Sequence, residues 1–203
     1  MENLIYPVGI SDLLVCMMTG RDSVTGAPTY STTINRLPVI SKLGVKGNGT
    51  SKSKYASNKM FTRVGRQTEH ELALEYVAMQ IALYDEMRGL THSEGVSFTT
   101  TDPTEMPVFA LGYVSPLSDG SEGATWYPHV QLSNSEELEM ETTTEEIDFK
   151  DLKLTMNASG LTSNGVLYSQ FNPLRESVKD LTLDKFISKV VYDESVIDTL
   201  VTP

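Results

Sequence analysis

Three stretches of this chain change polarity at every second residue, and that two-residue period limits what the chain can fold into more than any other feature. In residues 68–76, Glu69, Glu71 and Glu75 alternate with Leu72, Leu74 and Tyr76. In residues 137–143, Glu137, Glu139 and Glu141 oppose Leu138 and Met140. In residues 151–159, Leu152, Leu154, Met156 and Ala158 oppose Lys153, Thr155 and Asn157. Successive side chains of a strand point to opposite faces, so each stretch reads as a strand with one dry and one wet face, which is the habit of antiparallel sheets.

The rest of the chain is consistent with a mainly β protein. The apolar run of residues 9–19, bounded by Pro7 and Gly20, predicts a strand, and the turn residues Gly20, Asp22, Gly26 and Pro28 then lead to an extended segment at 29–34. A short strand at 96–100 and a proline-bearing connection at 102–107 precede a strongly apolar strand at 108–115. Ser118, Asp119 and Gly120 turn that strand into a return strand over 124–132, where Pro128, lacking an N–H, calls for a bulge or an edge position. Met79, Leu83 and Met87 recur every four residues over 78–88 before Gly89, predicting a helix whose methionine stripe faces a core. Leu181, Leu183, Phe186 and Val190 predict a second helix over 180–192, with a tail to Pro203 that frays. Trp126, Tyr113 and Leu83 are the expected core residues. At 203 residues the expectation is one domain spanning 1–203, with excursions.

The formal charge of -11 is unevenly spread. Between Asp22 and Glu69 there is no acidic residue, while Arg36, Lys42, Lys46, Lys52, Lys54, Lys59, Arg63 and Arg66 are basic; the remaining eight basic residues face all 27 acidic ones. Three readings fit. The basic stretch is a solvated loop beside an acidic surface; or it holds nucleic acid, with Tyr55 the one aromatic in 46–59; or it meets the acidic region of a second copy and orients a head-to-tail assembly. Residues 44–57 are rich in Gly, Ser, Asn and Lys, and carry too little apolar surface to order alone. They are expected to project as a mobile arm over about 44–60 that orders on docking, with Lys46, Lys52, Lys54, Tyr55 and Lys59 as its contact residues.

Sites of chemistry are hard to assemble from this sequence. His70, His92 and His129 lack metal-ligand spacing, and Cys16 sits in an apolar run without a His or Cys partner, as a small buried hydrophobe would in a reducing compartment. Gly47 and Gly49 start a glycine pattern that Lys52 breaks, and no Walker A or nucleophile-elbow motif occurs. The carboxylates at Glu136, Glu137, Glu139 and Glu141 stand roughly 7 Å apart along a strand and form no calcium loop. The chain is therefore expected not to be an enzyme, with no catalytic residue, metal or cofactor. No apolar stretch approaches the roughly 20 residues of a membrane helix, and no basic segment leads into the run at 13–18, so synthesis in a cytoplasm without a secretory leader is expected.

The order of motifs points further. P-V-F-A-L-G-Y-V-S from Pro107, S-D-G at Ser118–Gly120 and A-T-W-Y at Ala124–Tyr127 resemble the major tail protein family of siphophages infecting Gram-positive bacteria, in which an apolar strand with a central Gly-Tyr leads through a polar turn into a Trp-bearing strand. The strand from Gly9 through Leu13 and the C-terminal Leu181, Asp184 and Phe186 extend the likeness to both ends. The resemblance implies a β-sandwich flanked by a helix, with a long projecting loop. It also implies a virion-tail location alongside other tail proteins, and hexameric rings whose inner strands join into one barrel. Such rings would stack through long loops around a channel for DNA. Joined strands would leave no exposed edge to template aggregation, and an acidic lumen would pass DNA without binding it. Either Glu69, Glu71 and Glu75 or Glu137, Glu139 and Glu141 would line it. A tail terminator, a capsid decoration protein or a small nucleic-acid-binding module are the alternatives.

Overall fold

The computed structural model describes residues 5–56, 59–102, 105–133 and 151–201. In chain order its elements are β1 (Asp12–Gly20), β2 (Thr29–Tyr30), β3 (Asn35–Leu37), β4 (Ile40–Gly47), β5 (Thr50–Ala56), β6 (Lys59–Arg66), β7 (Glu69–Tyr76), α1 (Ile81–Arg88), β8 (His92–Ser93), β9 (Val96–Ser97), β10 (Phe109–Pro116), β11 (Glu122–Leu132), β12 (Leu152–Ser159), β13 (Ser169–Phe171), α2 (Leu183–Ile187) and α3 (Glu194–Val201). The large antiparallel sheet runs β2-β1-β10-β11-β12-β7-β4, with β3 beside β1 and β13 beside β11. β5 pairs with β6, and β8 with β9, as separate ribbons.

The apolar run of β1 is unbroken because both of its faces are covered. Leu13, Val15 and Met17 enter one core together with Phe109, Leu111, Leu72, Leu74, Met156 and Val130. These residues come from both halves of the sheet, which folds over itself as a β-sandwich, and Leu83 and Met87 of α1 join the same core. Leu14 and Cys16 enter a second core on the opposite face, where Ala110, Val114 and Trp126 meet Phe186 of α2 and Val196 of α3. Helices thus flank one layer of the sandwich. α1 ends at Gly89, whose φ of 67° is open to glycine without a Cβ penalty.

Pro128 takes the bulge and not the edge. The β10–β11 register slips between Phe109↔Val130 and Leu111↔Tyr127, and on its other side β11 pairs with β13 through Trp126 and with β12 only from Val130. The missing N–H therefore falls in the gap where the strand passes from one layer to the other. Three expectations are corrected. Only Thr29–Tyr30 of the segment 29–34 lies in a strand. The second helix covers Leu183–Ile187 and not all of 180–192. The tail does not fray through 201: Asp193 accepts the Ser195 N–H at 2.9 Å, α3 follows, and Val196 is buried.

Candidate assembly surfaces

The basic segment is a β-hairpin rooted in the sheet. β4 and β7 pair down to Gly47↔His70, and β5 and β6 resume the pairing at Thr50↔Arg66, so the four strands make one long ribbon whose distal half pairs with nothing else. Asn48 locks the junction. Its N–H donates to the Glu69 carbonyl at 3.2 Å, its Oδ1 accepts the N–H groups of Thr68 and Glu69 at 3.2 and 3.0 Å, and its Nδ2 donates to Thr68 Oγ1 at 3.0 Å. The expected mobile arm over about 44–60 is thus corrected: residues 44–47 belong to the sheet, and Thr50–Ala56 and Lys59–Arg66 pair as a two-stranded arm. Poor apolar content alone suggested disorder, but the partner strand β6 supplies the cross-strand hydrogen bonds that β5 cannot make with itself.

Lys52, Lys54, Tyr55 and Lys59 lie on the arm, whereas Lys46 sits at its root, opposite Glu71. β5 spans about 23 Å at the usual rise per residue. The arm carries Lys52, Lys54, Lys59, Arg63 and Arg66 with no acidic residue, and among the described residues no carboxylate pairs with any of them. Tyr55, Met60, Phe61 and Val64 are also exposed, Phe61 to 74%. The last three were missed because interleaved charges hide them in the sequence; their spacing from Tyr55 across a hairpin turn was the available signal.

Glu69, Glu71 and Glu75 do share the solvent face of β7, as their alternation required. That face is not acidic, however. In register, Lys42 and Lys153 flank Glu75, and Lys46 stands opposite Glu71, with Lys42 Nζ 3.2 Å from Glu75 Oε1. Three lysines thus balance three glutamates on adjacent strands. Glu137, Glu139 and Glu141, with their alternating segment, lie outside the described residues. The described chain leaves the sheet at Ser133, whose N–H donates to the Thr155 carbonyl at 2.8 Å in the middle of β12, and resumes at Asp151, just before Leu152 at the rim where β7 ends and β4 begins. The arm departs from the opposite rim. In the sequence between those two points, seven acidic residues face the single Lys150.

The remaining candidates are held in separate local pairs. His70 is buried, its Nδ1 3.0 Å from the Tyr127 hydroxyl, and His129 Nδ1 lies 2.9 Å from Ser159 Oγ, where burial lowers its pKa. His92 faces Asp85 at 3.8 Å. Cys16 donates to the Ser31 carbonyl at 3.3 Å, and burial, then the charge of Glu86, pushes its thiol up to about 11. Among the described residues no three His, Cys, Asp or Glu side chains converge on a metal-sized site. Leu83 and Trp126 are core residues, and Tyr113 packs half-buried at the margin.

The Gly-Tyr and Trp motifs meet in space. Gly112 and Trp126 are register partners, a Cβ on Gly112 would fall 2.7 Å from the indole ring, and the indole N–H donates to the Phe186 carbonyl at 3.0 Å. The glycine makes room for the ring, and the ring ties α2 to the sheet.

No family model matches this chain, and no curated protein does. Among solved structures, a chain of the anti-feeding prophage baseplate, from a six-fold symmetrised cryo-EM structure, is similar over 84% of this chain and 98% of that one, with a TM-score of 0.43 and 8% identity. A TM-score of that size does not establish a common fold.

Proposed function

We propose that this chain is a non-enzymatic structural subunit that assembles with copies of itself, as the subunits of a phage tail tube do. The observation that carries the reading is the arm: a two-stranded hairpin with five cations, which among the described residues no carboxylate pairs, and four exposed large apolar side chains. Such surface is costly to leave in water and marks a contact surface. The tube form is supported by the motif order around Gly112 and Trp126. It is also supported by β4, which among the described residues pairs with β7 alone and so offers its outer edge to a neighbour. In this form six copies close a ring, rings stack through the arms, and DNA passes through the lumen. The balanced charges of Lys42, Lys46, Lys153 and the three glutamates suit a wall that neither binds nor strongly repels phosphate.

The test removes both strands of the arm. Replacing residues 50–66 by a two-residue turn is expected to leave a folded protein that no longer stacks in sedimentation or electron microscopy; unchanged stacking would remove the arm from the assembly. A second reading is favoured by Tyr55 and Phe61 standing exposed among the cations, as a single-strand binding surface requires. Affinity for single-stranded DNA that falls steeply with salt in a gel-shift assay would support that reading over the first.

A further inference from the structure

Residues 96–101 read V-S-F-T-T-T, aromatic or β-branched at every position but one, and the sequence predicts a strand over 96–100. Only its first two residues take part in one: β9 pairs with β8, and residues 98–101 enter no strand pair among the described residues. Phe98 is left 68% exposed. An uncharged stretch with strand preference and a bare aromatic ring is a strand without a neighbour.

The same fold leaves a place for one. β1 and β3 pair antiparallel, Leu13 with Leu37, and that register continued would set Gly9 against Ser41 and Pro7 against Leu43. Those pairs do not form. β4 follows β7 instead, while the Val8 and Ser11 N–H groups donate to the Pro116 and Val114 carbonyls of β10 at 2.8 and 3.0 Å. The two stretches splay, and between them opens a cleft of about 580 Å³ lined by Val8, Ile10, Leu43, Val45 and Tyr113. Ile10, Leu43 and Tyr113 pack against the first core, so the lining is apolar, and β4, whose outer edge is unpaired among the described residues, forms one wall.

We propose that residues 96–101 of one copy add as a strand to the outer edge of β4 in a second copy, with Phe98 in the cleft. This rests on the reading of the chain as a self-assembling subunit and names the strand that β4 receives. Main-chain hydrogen bonds join the two strands, and the cleft selects the aromatic ring. Charge favours this occupant. Residues 89–102 hold Glu94 and Asp102 and neither Lys nor Arg, whereas β4 holds Lys42 and Lys46 and no acid; Lys46 has no carboxylate partner among the described residues. The arm strands also have free edges, but they would set lysine against lysine on β4. Phe98 and Val8 are both exposed in one copy, so the segment does not fill its own cleft. Because the contact joins unlike surfaces, it repeats from copy to copy and closes into a ring where the rotation allows.

Two variants with complementary defects test it. Phe98→Asp disables the added strand and Val45→Asp the cleft; both positions are exposed, and circular dichroism checks that each variant folds. Each alone is expected to raise the concentration needed for assembly by at least about tenfold, as loss of a buried aromatic anchor does. In an equal mixture with one variant tagged, pairs of unlike copies are expected to exceed their random share. The Phe98 of the V45D protein still fits the cleft of the F98D protein, and neither variant can pair with itself in this way. Contacts through the arm would join like and unlike copies equally. Val8→Asp, on the opposite wall, serves as a second cleft variant, expected to pair with F98D and not with V45D. Assembly by F98D equal to that of the unsubstituted protein, or a mixture without the excess of unlike pairs, would overturn the strand addition and leave self-assembly through the arm standing. An excess of unlike pairs, with no rings from any form of the protein, would keep the strand addition and remove the tube reading.

Discussion

Gly112 and Trp126 show how closely a single position is specified. Three indole ring carbons would lie 2.7 to 3.0 Å from a Cβ at position 112, and the ring is held on α2 by its hydrogen bond to the Phe186 carbonyl. Gly112→Ala inserts a methyl into a rigid ring, and overpacking of this kind costs about 2 kcal/mol, which a denaturant titration would record as a lower midpoint with an unchanged slope. Asp22 acts at longer range. It accepts the N–H groups of Thr162 and Ser163, the latter at 3.1 Å, clipping the β1–β2 connection to the turn after β12. Burial alone would raise its pKa, but those hydrogen bonds outweigh it and hold the value below 3.8. The folded state therefore favours the charged form: its stabilisation is complete above 3.8 and is lost as pH falls through the lowered folded value. Asp22→Asn is expected to lower stability near neutrality by about 1 kcal/mol, and to narrow the gap from the parent protein as melts are taken at increasingly acid pH. A gap constant down to the lowest pH would contradict the role given to the carboxylate.

Among the elements, those with a period of their own were legible in the sequence. β7 and β12 alternate cleanly, α1 carries Leu83 and Met87 at helical spacing, and Pro128 forced one of two outcomes, of which the bulge occurs. β5 has no apolar alternation because both of its faces meet water, so its strand character depends on β6 and could not be read from T-S-K-S-K-Y-A alone. α3 was missed for a similar reason: its eight residues are short for a helix, and it is held by Val196 in the second core more than by local preference. The neutrality of the β7 face was invisible because it depends on register between strands far apart in sequence. At the junction of sheet and arm, the Asn48 side chain holds the backbone N–H groups of Thr68 and Glu69 across the ribbon. Asn48→Ala is expected to raise amide hydrogen exchange in 50–66 by roughly tenfold, in line with the loss of about 1.5 kcal/mol of local hydrogen bonding, while β1 and β10 keep their protection. Equal protection across the arm in both proteins would show that the junction is held by pairing alone.

For the whole molecule, the two cores satisfy the interior and leave specific surfaces unmatched. β4 has an outer edge that pairs with nothing among the described residues, one rim carries a basic hairpin, and the other carries exposed valines. Each is costly for a lone copy and useful to a stack of copies. The charge asymmetry was plain in the sequence, but only the topology gathers its basic pole on one hairpin beyond the end of the β4–β7 pair. Electron microscopy of the concentrated, unsubstituted protein, with copies counted around each particle, tests self-assembly most directly. Stacked rings of uniform bore with six copies apiece are the expected result; a lone, monodisperse single copy at every concentration, even with other tail components added, would contradict it.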